Sequence, residues 1–380
     1  MTPPRVLLAS TDPGGVGGSS TASLDLFRRM SAEGWDVHYV HVVDDVDAAF
    51  HQIDFEGRLG DTGGLLNRHF CCVPSLASTR HPRLASLVAK IDPCVSVGFG
   101  FLATGLLKAA APERRVIFVT GTCRQAQDFV TSGRAQDAIA LGRALTNGSI
   151  LPRLINRAEQ VGVDRCDLLV THSELTKAMF ERFFAESIGK MYPSALSFAE
   201  WIAEGAEPWK HLARPFAARD IDVLFMASDW GRVEKNYPLV SRLGRRLGDL
   251  RVHVVGDVPY ALRWAVHHGF MTDRGALFEL MGRARCIACP SLIDAAPGIL
   301  FEGAVMGCNL VASKNCGNWD VCHPDLVVEP FDEPVMAERL HLAAHRRYDD
   351  RLDRFRARGA YRELMAIIGA ITQPFQAQDM

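Results

Sequence analysis

The chain has 380 residues, 48% hydrophobic and 23% charged, which is enough apolar mass for more than one buried core. A formal net charge of −2 removes any global electrostatic case for binding nucleic acid or an anionic membrane. The chain runs directly into "RVLLAS" without a leader pattern, Val95 to Leu107 is too short an apolar run to span a bilayer, and the ten cysteines are scattered, so a cytoplasmic protein with reduced thiols is expected.

Taken in chain order, short β-rich runs alternate with helical patterns. Arg5–Ser10, Asp36–Val43, Cys94–Gly100, Arg115–Gly121 and Asp167–Ser173 read as strands, and Ser20–Glu33 and Thr104–Ala111 as helices between them. Gly205–Arg219, with two prolines and weak periodicity, reads as a linker. The alternation then restarts with strands at Asp222–Ser228, Arg251–Gly256, Arg285–Ser291, Cys308–Ser313 and Asp325–Pro330. Helices are expected at Pro238–Leu247, Arg274–Arg283 and Gly298–Met306, with a helical tail from Pro334 onward. Runs apolar on both faces suit parallel strands covered by helices. The expected fold is therefore α/β, two doubly wound Rossmann-like domains facing each other across a cleft. The expected divisions are residues 1–210, residues 220–355, and a tail of residues 356–380 crossing back to the first domain.

Ligands of such sheets bind beyond the carboxyl ends of the strands, so the loops there carry the chemistry. The first, Ser10–Met30, holds Gly14, Gly15, Gly17 and Gly18 ahead of a helix, and lets backbone approach an anionic ligand. Gly15-x-Gly17-x-x-Ser20 also approximates a dinucleotide fingerprint, which makes an NAD-dependent oxidoreductase the competing reading. Against it, Asp44 lies beyond the usual interval of about 20 residues, and Ser20 replaces the third Gly or Ala. Asp45 and Asp47 read as a solvated loop rather than metal ligands, and no metal site is expected. At the end of the expected strand Arg115–Gly121 and just beyond it stand Thr120, Thr122 and Arg124. His172 either points into the cleft or is a solvated loop histidine, beside Ser173 as a helix N-cap. Phe55–Arg80 and Phe129–Leu154 have uninformative composition.

In the second half, Arg232 and Lys235 follow a strand and precede a helix, a pairing of fork and point charge suited to a diphosphate, although exposed loop cations are the commoner fate. In "PSLIDAAPGILFEGAVMGCNLVAS", Pro297 suits the first residue of a helix, Asp294 lies in the loop above it, and Glu302 sits just over one turn inside. Carboxylates there can accept two hydrogen bonds from vicinal hydroxyls; the bland readings are a capping Asp and a solvated helix Glu. Cys286-x-x-Cys289 falls inside an apolar strand, so neither metal nor redox use is expected of that motif. The mixed charges of Arg346–Arg362 read as a solvated helix face, with a weak membrane-surface association as the lesser alternative.

This combination, from Arg232 and Lys235 through Pro290–Ser291, Asp294 and Glu302 to Leu310–Ser313, resembles the nucleotide-binding half of retaining GT-B glycosyltransferases, glycosyltransferase family 4 in particular. The resemblance covers roughly a hundred residues, and its motifs carry weight through their order and spacing. It implies a metal-independent hexosyltransferase that needs no cofactor beyond its donor, a UDP- or GDP-linked sugar, and that acts on a hydroxyl acceptor. It implies that Arg232 and Lys235 hold the diphosphate, and that Glu302 binds the ribose. Asp294 and the backbone of Ala296, Pro297, Gly298 and Ile299 would meet the sugar, Phe270 and Met271 would lie near the base, and Gly15 and Gly17 near the diphosphate. Two departures bear on the sugar: Asp294 replaces the usual Glu, and Pro297 stands where many members have Gly. The family's first-domain histidine has no counterpart in Val119–Asp128, which keeps open a noncatalytic GT-B nucleotide-binding subunit.

Overall fold

Apolar strands that must be covered on both faces pair in parallel, each returning through a helix. The computed structural model describes residues 4–11, 18–44, 67–73, 81–121, 123–135, 151–356 and 359–372. Its first sheet contains β1 (Val6–Ser10), β2 (Val37–Asp44), β3 (Arg68–Val73), β4 (Val95–Phe99), β5 (Arg115–Thr120) and β6 (Leu168–Thr171), in the order β3-β2-β1-β4-β5-β6. All pairings are parallel, with Val6 opposite Val37 on one side and Val95 on the other. The connecting helices are α1 (Gly18–Ala32), α2 (Pro82–Ile91), α3 (Phe101–Ala110), α4 (Arg124–Ala135) and α5 (Leu151–Arg165), with α6 (Glu174–Phe183) after β6. Alternation along β1 sends Val6 and Leu8 into one core, Leu7 and Ala9 into another.

After α7 (Ala199–Ala206) the same plan repeats. The second sheet contains β7 (Ile221–Asp229), β8 (Val252–Asp257), β9 (Val266–His267), β10 (Ala284–Cys289), β11 (Asn309–Ser313) and β12 (Val327–Val328), in the order β12-β11-β10-β7-β8-β9. Its helices are α8 (Tyr237–Leu243), α9 (Arg274–Arg283), α10 (Gly298–Val305), α11 (Glu333–His345) and α12 (Leu352–Arg356). Ile287 and Leu310 face the core under α10; Ala288 and Val311 face the core under α11. The last described helix, α13 (Ala360–Thr372), returns to the first sheet, where Leu364 and Ile368 pack with Val6, Leu8 and Val95.

The segments 67–91 and 205–219 differ from the sequence expectation, and β9 was not expected either. β3 and α2 occupy parts of 67–91, where composition announced neither; β3 is an edge strand, so its apolar pattern is diluted. Residues 205–219 are not an open linker. Trp209 stacks on Phe278 with ring centroids 5.9 Å apart. Buried Arg219 donates to the carbonyls of Ala284 at 2.6 Å and Met306 at 2.7 Å. Prolines break the periodicity there, yet large side chains still anchor the segment.

The crossing is held on both sides. Trp201 of α7 lies in the first domain's core, while Ala203 and Ala206, a short step further on, lie in the second's. Arg29 of α1 lies over the rings of Trp201 and Tyr361, at 5.7 Å and 5.5 Å, and pairs with Glu204. Close backbone approach is sharpest at Gly256, where φ is +114° and an added Cβ would sit 1.7 Å from the Ala227 carbonyl oxygen. Gly256→Ala is therefore expected to cost roughly 2–4 kcal/mol, whereas Gly105→Ala, in α3 with open space around it, should be stabilising by about 0.5–1 kcal/mol. Urea unfolding of the two variants checks both signs.

Candidate active site

The carboxyl edge of the second sheet places its loops toward the first domain. β7 ends at Asp229, and Trp230 turns inward to donate Nε1–H to the Val255 carbonyl at 2.9 Å. A short turn then presents Arg232, half-exposed, and Lys235, mostly buried. The turn closes on Asn236 in the left-handed region at φ +61°. The Asn236 amide donates to the carbonyls of Pro290 and Pro330, both at 3.0 Å, tying the ends of β7, β10 and β12 together. Asparagine tolerates that conformation, and its side chain repays it with hydrogen bonds.

Asp294 comes from the loop after β10. Its Oδ2 accepts from Lys235 Nζ at 2.5 Å, with the two side chains only 15% and 18% exposed. Burial is the strongest single influence on the Lys235 ammonium and pushes it down. The charge of Asp294, the nearby Cys289 sulfur and the hydrogen bond to Asp294 together outweigh burial, and the net shift is upward, so Lys235 stays charged. Arg232 Nε donates to Glu234 Oε1 at 2.6 Å, and Glu234 is itself largely buried.

A seam joins this edge to the first domain. Ser173 Oγ, the N-cap of α6, donates to the Ala295 carbonyl at 2.8 Å, and Thr176 donates to the Gly121 carbonyl at 2.8 Å. A Cβ on Gly317 would lie 1.6 Å from that same Ala295 oxygen, so only glycine fits beneath it. The groove above is lined by Cys123, Gln127 and Met179 from the first domain and by Arg232, Lys235 and Asp294 from the second. Its cavity is about 40 Å³, room for one or two waters.

Glu302 lies in α10, one turn beyond its start, as expected, but it does not share partners with Asp294. Its carboxylate pairs with Arg274 at 3.6 Å, and burial pushes its pKa up more strongly than Arg274 pulls it down. Pro297 is the N-cap of α10 and Gly298 its first residue, one position later than the proline pattern suggests. A Cβ on Gly298 would lie 3.5 Å from Ile202, so α7 covers the start of this helix. Phe270 is exposed in the loop after β9, while Met271 packs against the core, and Ile299 is partly buried against the same core. Gly15, Gly17, Asp45, Asp47 and Thr122 lie outside the described residues.

Three features escaped the sequence reading. His172 is not a solvated loop residue. It is buried edge-on to Phe198, with ring centroids 4.2 Å apart, and its Nε2 has no hydrogen-bond partner among the described residues. Glu159 of α5 accepts backbone N–H groups of Arg124 at 2.5 Å and Gln125 at 2.8 Å, capping α4 from a neighbouring helix. Burial raises that carboxyl to about 7. Cys316, in the turn after β11, contacts Cys289. None had a local signal, because each depends on a neighbour distant in sequence. Thr120 is buried, and Arg124 pairs with Asp128.

The comparisons with known proteins concern the fold. No protein-family profile matches the sequence, and no curated protein is similar to it in sequence. Among solved structures, sucrose-phosphate synthase from Thermosynechococcus elongatus is similar over 97% of this chain and 96% of its own, with a TM-score of 0.64 at 15% identity. The lipopolysaccharide outer core galactosyltransferase WaaB, in its apo form, covers 96% of this chain and 99% of its own, with a TM-score of 0.61 at 9% identity. Anabaena HepE in complex with UDP covers 96% of this chain and 100% of its own, with a TM-score of 0.59 at 10% identity. The chain has the two-domain GT-B fold that these glycosyltransferases share.

Two outcomes follow. Lys235→Ala leaves Asp294 as an uncompensated buried charge and is expected to cost about 3 kcal/mol, while the double change Lys235→Met with Asp294→Leu recovers most of it. Chemical denaturation of the three proteins measures this, and an equally unstable double variant would show that the pair is not the cause. Burial holds the folded His172 at about 3, against 6.5 when unfolded. A depressed histidine contributes stability above pH 6.5 that is lost as pH falls toward 3, at about 1.4 kcal/mol per pH unit. His172→Leu should flatten the acid limb by one proton in urea titrations at pH 7, 6, 5 and 4. The pairs His38–His69 and His253–His268, also lowered by burial, keep the remainder of that limb.

Proposed function

We propose that this chain is a glycosyltransferase that moves a sugar from a nucleoside-diphosphate donor to an acceptor hydroxyl, with retention of anomeric configuration and without a metal ion. The observation that carries the reading is the buried Lys235–Asp294 pair at the carboxyl edge of the second sheet, opposite Cys123, Gln127 and Met179 of the first domain. UDP is the favoured nucleotide, because HepE, of the same fold, has been solved with UDP and with UDP-glucose; GDP is the alternative.

In this reading Arg232 and Lys235 bind the diphosphate and stabilise the charge that develops as it leaves. Those fixed cations supply what a metal ion would otherwise supply. Asp294 holds Lys235 in place and accepts from a sugar hydroxyl. Glu302 accepts both ribose hydroxyls, and Phe270 with Met271 borders the base. The backbone from Pro297 to Ile299 and the glycine loop with Gly15 and Gly17 complete the donor site. Retention is assigned to attack by the acceptor hydroxyl on the face the diphosphate leaves, with a departing phosphate oxygen taking the proton. That route asks for no general acid–base carboxylate pair. A donor exceeds the 40 Å³ groove, so the domains part to admit it and close to exclude water. A cytoplasmic location fits a nucleotide-sugar donor; among the described residues no helix is long and apolar enough to cross a membrane.

Calorimetry with UDP, GDP, ADP and NAD, without added metal, tests the reading. One nucleoside diphosphate should bind and NAD should not, and Lys235→Met and Glu302→Ala should each weaken that binding on the order of 10- to 100-fold. Binding of NAD alone, or unchanged affinity in both variants, would overturn the assignment. Nucleotide release in a single turnover separates an enzyme from a noncatalytic binder.

A further inference from the structure

Cys289 closes β10, and Cys316 lies three residues beyond the end of β11. Their Sγ atoms are 3.5 Å apart, both side chains are buried, and both are free thiols. The expectation that Cys286-x-x-Cys289 has no redox use stands for that motif; the partner of Cys289 is a residue 27 positions away.

Two observations set this pair apart from the other buried cysteines. The first is its connection to the candidate site. Asp294 and Cys316 face each other across a parallel backbone bridge: the Asp294 N–H donates to Asn315 at 2.9 Å, and the Gly317 N–H donates to Asp294 at 2.6 Å. Any movement of Cys316 is therefore passed to Asp294, whose carboxylate holds Lys235. The second is the chemistry around Cys289. The Cys316 thiol donates to its sulfur, the Ser291 hydroxyl lies 3.6 Å away, and the Lys235 charge acts on it. The hydrogen bond from Cys316 leads these effects, which draw the Cys289 thiol below the usual cysteine range against burial and the charge of Asp294.

From this geometry we infer that Cys289 and Cys316 are a modification site, a dithiol that closes reversibly to a disulfide and thereby loosens the Lys235–Asp294 site. The oxidant is a peroxide. The Cys289 thiolate attacks one peroxide oxygen, the O–O bond breaks, and a sulfenic acid and hydroxide form. That hydroxide takes the Cys316 proton, the Cys316 sulfur attacks the sulfenic sulfur, the S–S bond forms, and a second hydroxide leaves to take up the proton Cys289 released. In total, two thiols lose two electrons and two protons, and hydrogen peroxide becomes two waters. A dithiol reductant reverses the reaction by exchange. The bond shortens the sulfur separation to about 2.05 Å, a closure of about 1.5 Å that the 314–317 turn absorbs. That turn is the one bridged to Asp294.

The role of the site in donor binding rests on the function proposed above; formation of the bond does not. The reduced full-length protein is titrated with hydrogen peroxide, alkylated, and mapped by peptide mass spectrometry without reduction. A Cys289–Cys316 linked peptide, lighter by two hydrogens and restored by dithiothreitol, is expected. On the same samples, calorimetry is expected to show UDP affinity falling about tenfold on oxidation. Cys316→Ser should keep the reduced affinity and lose the peroxide response, with Cys289→Ala as a second variant should the first fail to fold. Free alkylated cysteines at both positions after peroxide, or linkage of either to Cys286 or Cys322, overturn the proposal. A correct linkage with unchanged UDP affinity overturns the switch. Absence of UDP binding in the reduced protein counts against the donor reading alone, and the peptide map still decides the thiol pair.

Discussion

The structure of the candidate site depends on one constraint: a buried ammonium must keep its carboxylate. Lys235 and Asp294 come from loops after different strands, β7 and β10, and neither is tolerable in that setting alone. Their pairing fixes the two loops against each other. The Asp294 backbone then bridges to Asn315 and Gly317, and the adjacent Ala295 carbonyl accepts from Ser173 of the first domain. A single ion pair thus stands at the node of three second-domain loops and the seam to the other domain. Stability and ligand chemistry are drawn from the same atoms, which is why the node packs so closely around glycine at 317.

The parallel sheets explain why the node lies where it does. Each crossover helix starts from the carboxyl end of a strand, so the irregular backbone collects on one edge of each sheet. The two edges face each other because α7 buries Trp201 in one core and Ala203 and Ala206 in the next, and α13 returns to clasp the first sheet. A short amphipathic segment with two different faces of burial thus sets the geometry of the groove. The GT-B fold follows from this arrangement, while its chemistry belongs to the loops.

Three departures from ordinary packing lie at the same place. An imidazole whose Nε2 has no partner among the described residues is buried at the seam, a carboxylate raised to about 7 caps α4 at the groove wall, and two thiols lie in contact on the Asp294 side of the seam. Buried polar groups of this kind cost stability unless something else requires them. These three lie around Ala295 and Asp294, where the two domains meet and where packing alone does not set the sequence.

Much of the fold was legible in the sequence, since period and composition are local properties. The runs 223–227, 286–290 and 310–312 are continuously apolar because both sheet faces are covered, and α9 matches its expected span because Asp273 caps it with two N–H groups in hand. The order of Arg232, Lys235, Asp294 and Glu302 along those strand ends was legible for the same reason. Edge elements such as β3 and β9 were not, because β3 opens on Arg68 and His69 and β9 has only two residues. Nor could sequence decide partners. That Asp294 binds Lys235 while Glu302 binds Arg274, that His172 is buried, that Glu159 caps α4, and that Cys289 meets Cys316 rather than Cys286 depend on loops joined across the sheet and across the domains. The sequence by itself determined the alternation, the two sheets and the residues presented at their edges. Tertiary structure decided which of those residues touch, because hydrogen bonds and ion pairs act over about 3 Å in space and carry no period along the chain.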